Sequence, residues 1–322
     1  MSQLADADDG VPLGEGAAGR MDQGMTIYGA IEAGGTKFVC ALGTAETGSL
    51  RTATIPTRDP ESTFAEVAAF FDGAAELGRV AGIGIASFGP VGVDAAAADY
   101  GKILATPKPG WEGTDLLARV RDFLDVPLAI DTDVNAAALA EVAAAGPEIS
   151  QLAYVTVGTG IGVGLVTDGR AVHGIGHPEA GHVLVRRHPA HEGFAGTCPF
   201  HGDCLEGLAA GPAIAAAWGA PASELPAAHP FWDVEADYLA QLCMTLFLTM
   251  APQRIVLGGG VMQQRRLLPI IRVRTAQMLG GYVQGARDLA AMERRILPPA
   301  CREPSGLVGA YLLAKRAAQA EG

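Results

Sequence analysis

The sequence predicts an α/β protein of two similar halves that flank a cleft. Three observations predict it. Residues 27–41 (IYGAIEAGGTKFVCA) are two apolar runs around Gly34-Gly35-Thr36-Lys37, the composition of a β-hairpin. After Gly146-Pro147 the theme restarts, with apolar runs 152–157 and 161–166 around Gly158-Thr159-Gly160. Each half later has a short strand feeding a helix, so supersecondary order repeats where sequence does not. A small-molecule site is expected between the halves.

In chain order, residues 1–25 are acidic and glycine-rich and are expected to form a flexible tail, with too little apolar material to offset ordering. Ordered structure is expected from residue 26. Residues 61–77 have apolar positions at helical spacing after a proline. Residues 80–86 (VAGIGIA) form a strand that opens into SFGPVGVD, where Gly and Pro end regular structure. Strand 126–130 runs into DTDVN and an Ala-rich helix at 136–145. A Gly/His/Cys-rich stretch, 173–204, has little periodicity. Helical patterns resume at 205 and over 233–250, strand 254–257 breaks at Gly258-Gly259-Gly260, and an amphipathic helix covers 306–318.

The balance of 23 Lys+Arg against 35 Asp+Glu gives a net charge of −12. Such a surface repels phosphodiester backbones, which excludes nucleic acid as the expected partner. No run approaches the roughly 20 apolar residues that span a bilayer, so no membrane partner is expected. The acidic start lacks the basic and apolar regions of a signal peptide, and a cytoplasmic protein is expected. In that compartment the five cysteines read as metal ligands or core residues rather than disulfides. Cys40 and Cys243 lie in apolar runs and read as core.

The two Gly-Thr turns occupy equivalent places in the halves, where they can face each other across a cleft and hold a polyphosphate. The first, AGGTK, lacks Walker spacing; the second, VGTGIGVG, fails the dinucleotide fingerprint. A third glycine cluster, IVLGGGVM, ends a strand ahead of a helical segment, where an anion or a flat ring is accommodated. Each is also a plain tight turn by composition. A phosphoryl acceptor hydroxyl needs a carboxylate to take its proton, and Asp133 stands at a strand-to-helix junction. Asp, Thr and Asn also serve as helix N-caps, so Thr132 or Asp131 can cap there while Asp133 faces the cleft. Trp111 sits in TPKPGW, either against a sugar face or covering the domain edge.

The most specific signal is GHPEAGHVLVRRHPAHEGFAGTCPFHGDCLEG, residues 176–207. Cys198, His201 and Cys204 fall at three-residue spacing, with His182 upstream. Two thiolates and two imidazoles make a closed tetrahedral set of the structural zinc type. His188 and His191 compete with His182 for the fourth place. The ion would hold Glu179 and Glu206 in position to accept hydrogen bonds from sugar hydroxyls.

Together IEAGGTKFVCALG, SFGPVGVD, TPKPGW, DTDVNAAALAE, HPEAGH and GTCPFHGDCLEGLAAGPAI resemble the ROK family of sugar kinases and repressors, nearest its zinc-containing fructokinase branch. The resemblance implies the actin/hexokinase-type ribonuclease H-like fold. It implies a small domain over 26–133 joined by the C-terminal helix 304–322, and a large domain over 134–303 carrying the zinc knuckle. It implies Asp133 as catalytic base, with Gly89, Pro90, Thr132, Glu179, His182 and Glu206 around the sugar. It implies Gly34, Gly35, Thr36, Lys37, Gly158, Thr159 and Gly160 at the ATP phosphates, Gly258, Gly259 and Gly260 at the adenosine, and Mg2+ bridging the phosphates. A homodimer is implied too. Family glucokinases carry a different knuckle and Asn before the base, where Thr132 stands here, so fructose is expected over glucose. Glucose, mannose or an N-acylated hexosamine is the alternative substrate. A non-catalytic sugar-sensing regulator is the alternative from another class, although two dozen leading residues are short for a helix-turn-helix domain of roughly 60–80.

Overall fold

We describe the protein from a computed structural model, in which residues 25–320 are described. The expected tail lies outside them except for Met25. The first sheet is built from β1 (Thr26–Ala33), β2 (Lys37–Thr44) and β3 (Gly48–Pro56), an antiparallel meander, extended by β4 (Arg79–Ser87) and β5 (Leu128–Thr132). Its order is β3-β2-β1-β4-β5, with β4 parallel to β1 and β5 parallel to β4. The second sheet contains β6 (Leu152–Val157), β7 (Ile161–Thr167), β8 (Arg170–Ala171), β9 (Arg254–Gly258) and β10 (Ile296–Leu297). Its order, β10-β9-β6-β7-β8, repeats the first strand for strand, antiparallel on one side of the central strand and parallel on the other. The duplication expected from the two hairpins is therefore complete at the level of topology.

Helices follow from local signals. In the first half α1 (Pro60–Asp72) starts at Asp59, whose carboxylate accepts from Ser62 N, with Pro60 at the first helical position. It ends at Gly73, earlier than the expected 77, and a short 3-10 turn follows. A second helix, α2 (Leu116–Arg121), precedes β5. Then α3 (Asp133–Ala145) begins three residues before its expected start, because Thr132 accepts from Asn135 N and nucleates the first turn. In the second half the helical pattern from 205 splits into α4 (Leu205–Ala209) and α5 (Gly211–Trp218) at Gly211-Pro212. The remaining helices are α6 (Phe231–Thr249), α7 (Leu267–Leu279), α8 (Leu289–Arg295) and α9 (Ser305–Ala320). Among the described residues no helix is long and apolar enough to cross a membrane.

Each half has its own apolar core, and a third cluster lies between them. That third core is formed by α3, packed on β6 and β7, against α9, packed on β4, β1 and β5. The helices approach at backbone distance because the contact is made of Ala and Gly. A Cβ placed on Gly309 would fall 2.0 Å from the carbonyl oxygen of Ala136, and one on Gly84 would fall 1.9 Å from that of Ala310. Gly309→Val is accordingly expected to cost about 3 kcal/mol or more through overpacking. Thermal melts should show Tm lowered by roughly 6–12 °C; a Tm within about 2 °C of the parent would contradict this contact.

Trp111 belongs to the core, not to a sugar platform. It is fully buried, its indole NH donates to Arg58 O at 2.7 Å, and its ring packs on Phe38, Phe64 and Phe88.

Candidate functional site

The C-terminal ends of β1, β5 and β9 meet at a cavity of about 720 Å³ between the halves. Glu32, Gly34, Thr36 and Lys37 line it from the first half, Asp133 from the head of α3, and Gly258, Gly259 and Gly260 from the second half. Gly259 has φ +92°, and a Cβ there would meet the Val157 backbone at 2.4 Å, so only glycine fits that turn. Gly35 and Gly260 face open space, with nothing within 4 Å of a built Cβ. Lys108 Nζ donates to Gly35 O at 2.5 Å, bringing a second cation to the first turn. The Gly158–Gly160 turn does not line this cavity; Thr156, just before it, does. Instead the turn sits against Glu206, whose Oε2 accepts from Ile161 N at 2.9 Å and would lie 2.6 Å from a Cβ on Gly160.

Asp133 is partly open to the cleft yet deep within the protein. Burial raises its carboxyl pKa to about 7; the Val134 NH, donating at 2.8 Å, opposes the rise, and the Glu32 and Glu179 charges add to it. A carboxyl so tuned is suited to exchanging a proton near neutral pH. Thr132 does not reach the cleft as the resemblance implied. It is buried, and its hydroxyl accepts from Asn135 N at 3.1 Å as the helix cap. Asp131 is buried as well, accepting from Asn135 Nδ2 at 2.8 Å and facing His173 Nε2 at 3.0 Å.

A second cavity, about 320 Å³, is lined by Pro90, Val91, Asp94, His177 and Glu179 among others. Gly89 borders it, with His177 3.2 Å from a Cβ built there. His177 was not singled out in the sequence. Its Nε2 accepts from Val91 N at 3.4 Å and its Nδ1 lies 3.3 Å from Glu179 Oε1. A neutral ring with the proton on Nδ1 satisfies both, and burial lowers its pKa in keeping with that. The ring thus joins the Gly-Pro turn of the first half to Glu179 of the second. Burial and the nearby Glu206 raise Glu179 to about 7.

The knuckle residues converge. One ligand atom each from His182, Cys198, His201 and Cys204 lies within 4.8 Å of all the others. His182 Nδ1 is 3.4 Å from Cys204 Sγ and 3.7 Å from Cys198 Sγ, and His201 Nδ1 is 3.6 Å from Cys198 Sγ. Edges of about 3.3–3.8 Å are those of a tetrahedron with ligand bonds of about 2.0–2.3 Å, so the donor set fits a four-coordinate zinc ion. His188 and His191 drop out as fourth ligands. His188 Nδ1 accepts from Ala190 N, and the buried His191 lies with Nδ1 3.1 Å from Tyr238 Oη. The other nitrogen of His182, Nε2, is 4.0 Å from Glu206 Oε1, which ties the knuckle to the second Gly turn.

Among the residues that sequence reasoning missed are Glu32 and His177, which line the two cavities, and Lys108, which reaches the first turn. Glu32 carried a signal, an acid inside the apolar run IYGAIEA. Burial raises its pKa and Lys37 opposes the rise. His177 and Lys108 act through contacts 86 and 73 residues away in sequence, which no local pattern reports.

The profile of the ROK family matches residues 28–317. The fructokinase of Pediococcus pentosaceus is 41% identical, over 90% of this chain and 98% of its own length. The fructokinase of Zymomonas mobilis is 41% identical over 91% and 98%. Among solved structures, the ROK hexokinase of Thermus thermophilus superposes with a TM-score of 0.71 at 24% identity, covering 92% of this chain and 100% of that one.

Proposed function

From the premise that this chain belongs to the ROK family, we propose that it transfers the γ-phosphoryl group of ATP to the 6-hydroxyl of fructose. The observation that carries the reading is Asp133. Its carboxyl lines the larger cavity and lies within electrostatic reach of Glu179, which lines the smaller one. ATP occupies the larger cavity, with its phosphates at Gly34–Lys37 and its adenosine at Gly258–Gly260, while the Gly158–Gly160 turn, outside that lining, holds Glu206. The sugar occupies the smaller one beside Gly89 and Pro90.

Asp133, ionised, takes the proton of the 6-hydroxyl as that oxygen bonds to the γ-phosphorus and the bond to the β-phosphate oxygen breaks, releasing ADP. Glu179, His182 and Glu206 hold the sugar hydroxyls, and His177 holds Glu179. Lys37 and Lys108 offset phosphate charge. Glu32 is the half-buried carboxylate beside the first turn suited to magnesium, which would supply charge neutralisation and alignment of the γ-phosphate when bound with the nucleotide. His182, Cys198, His201 and Cys204 would hold zinc through four protein ligands, which would make its role structural. Fructose rests on the knuckle CPFHGDC and on the fructokinase relatives, since the Thr132 hydroxyl is turned to its helix. The protein acts in the cytoplasm as a homodimer.

The test is ADP release from MgATP with fructose, glucose, mannose and N-acetylmannosamine. The expected result is a kcat/KM for fructose at least about tenfold above the others, within the range one set of pocket contacts provides. Preference for another sugar would keep phosphoryl transfer and discard fructose. No ADP from any sugar would overturn the catalytic reading.

A further inference from the structure

The chain passes between the two halves at two places. It leaves the first sheet through β5 and enters α3, which packs on the second sheet; it leaves the second sheet through β10 and returns through residues 298–304 to α9 on the first. Glu141, on α3, touches the second crossing. It is 1% exposed, and its carboxylate accepts from Ala300 N at 2.8 Å, from Cys301 N at 3.4 Å and from Ser305 Oγ at 2.6 Å. The segment it grips forms a wall of the larger cavity, including Pro299, Arg302 and Ser305. Asp133 opens the same helix, eight residues earlier, about 12 Å along its axis.

We propose that Glu141 is a positioning residue for the nucleotide. It binds the two crossings together and sets the nucleotide wall at a fixed height above Asp133. The reason lies in the donors. Two backbone NH groups and a hydroxyl directed at one buried carboxylate define where residues 300–305 run, and a charged acceptor makes those bonds strong. Without it the buried NH groups lose their acceptor, and the wall must move to find water or other partners. The nucleotide then loses the surface that holds its position, while the sugar cavity, built from other segments, keeps its shape.

The proposal rests on the kinase reading, so the test separates the two. MgADP binding is measured by calorimetry, and KM values for ATP and sugar by steady-state kinetics, on the parent, Glu141→Ala, Glu141→Gln and Ser305→Ala. Glu141→Ala should weaken MgADP binding about tenfold or more, from the loss of a charged acceptor. The ATP KM should rise in step while the sugar KM stays within about twofold. Glu141→Gln keeps one acceptor oxygen and should restore most of the affinity; Ser305→Ala should show a smaller loss. A role in stability alone would lower Tm and the active fraction and leave MgADP affinity unchanged, which would overturn the proposal. Should Glu141→Ala fail to fold, MgADP affinity in Ser305→Ala equal to the parent's would overturn it, since that variant removes the shortest of the three donors. A parent that binds no MgADP would instead overturn the kinase reading.

Discussion

Asp133→Asn is expected to lower kcat by about 10²–10⁴, the range for loss of a positioned general base. Affinities for sugar and MgADP should change little, because the amide keeps the shape of the carboxyl. In the parent, kcat/KM should rise with pH to a plateau above about 7, since only the ionised carboxylate accepts the proton and burial raises its pKa to that value. The same shift has a consequence for stability. Below the unfolded value of 3.8 the carboxyl is protonated in both states, and the folded state carries no penalty. Between 3.8 and about 7 the folded protein holds a proton that the unfolded chain releases, so stability is lost as pH rises through that window. Asp133→Asn removes the loss. Its melting temperature should match the parent near pH 4 and exceed it at pH 8. The full shift corresponds to about 4 kcal/mol, reduced in practice because the carboxyl opens onto the cleft. Turnover within tenfold of the parent would contradict the assignment of Asp133. So would a melting difference that does not vary with pH.

Cys204→Ser carries the second large effect. Structural zinc sites contribute about 10–16 kcal/mol in small zinc domains. In a chain of this size that energy orders one segment rather than the whole fold. We expect about one zinc per chain in the parent by metal analysis, and little in the variant. Tm should fall by roughly 10 °C or more, and a strong chelator should reproduce the fall in the parent. The effect should also reach the sugar site. Glu206 follows Cys204 by two residues and faces His182, so the sugar KM should rise more than the ATP KM. Freshly purified protein without zinc, melting as the variant does, would remove the ion from the account. Equal effects on both KM values would break the link between knuckle and sugar.

Much of the arrangement was legible in the sequence wherever the constraint is local. A ligand set at three-residue spacing must close on itself once the turn at Gly202 folds, and Cys198, His201 and Cys204 do. Strand–glycine–strand runs have one economical geometry, the hairpin, and both halves adopt it. Elements whose existence depends on a neighbour were not legible. Strands β8 and β10 have two residues each and exist through their pairing with β7 and β9. The solvent-edge strand β3 has too weak an apolar alternation to announce itself.

By itself the sequence determined the fold class, its duplication, the Cys198–His201–Cys204 knuckle and Asp133 at a strand-to-helix junction, because each is written in local patterns of a few residues, the duplication in two such patterns. Tertiary structure decided which side chains share the cleft. Thr132 turns to its helix cap, Trp111 to the core, and His177 to a backbone NH of the opposite half. Glu141 meets Ala300 and Ser305, 159 and 164 residues away. Such pairings follow from how the sheets and helices pack, a property of the whole chain, so no window of sequence contains them.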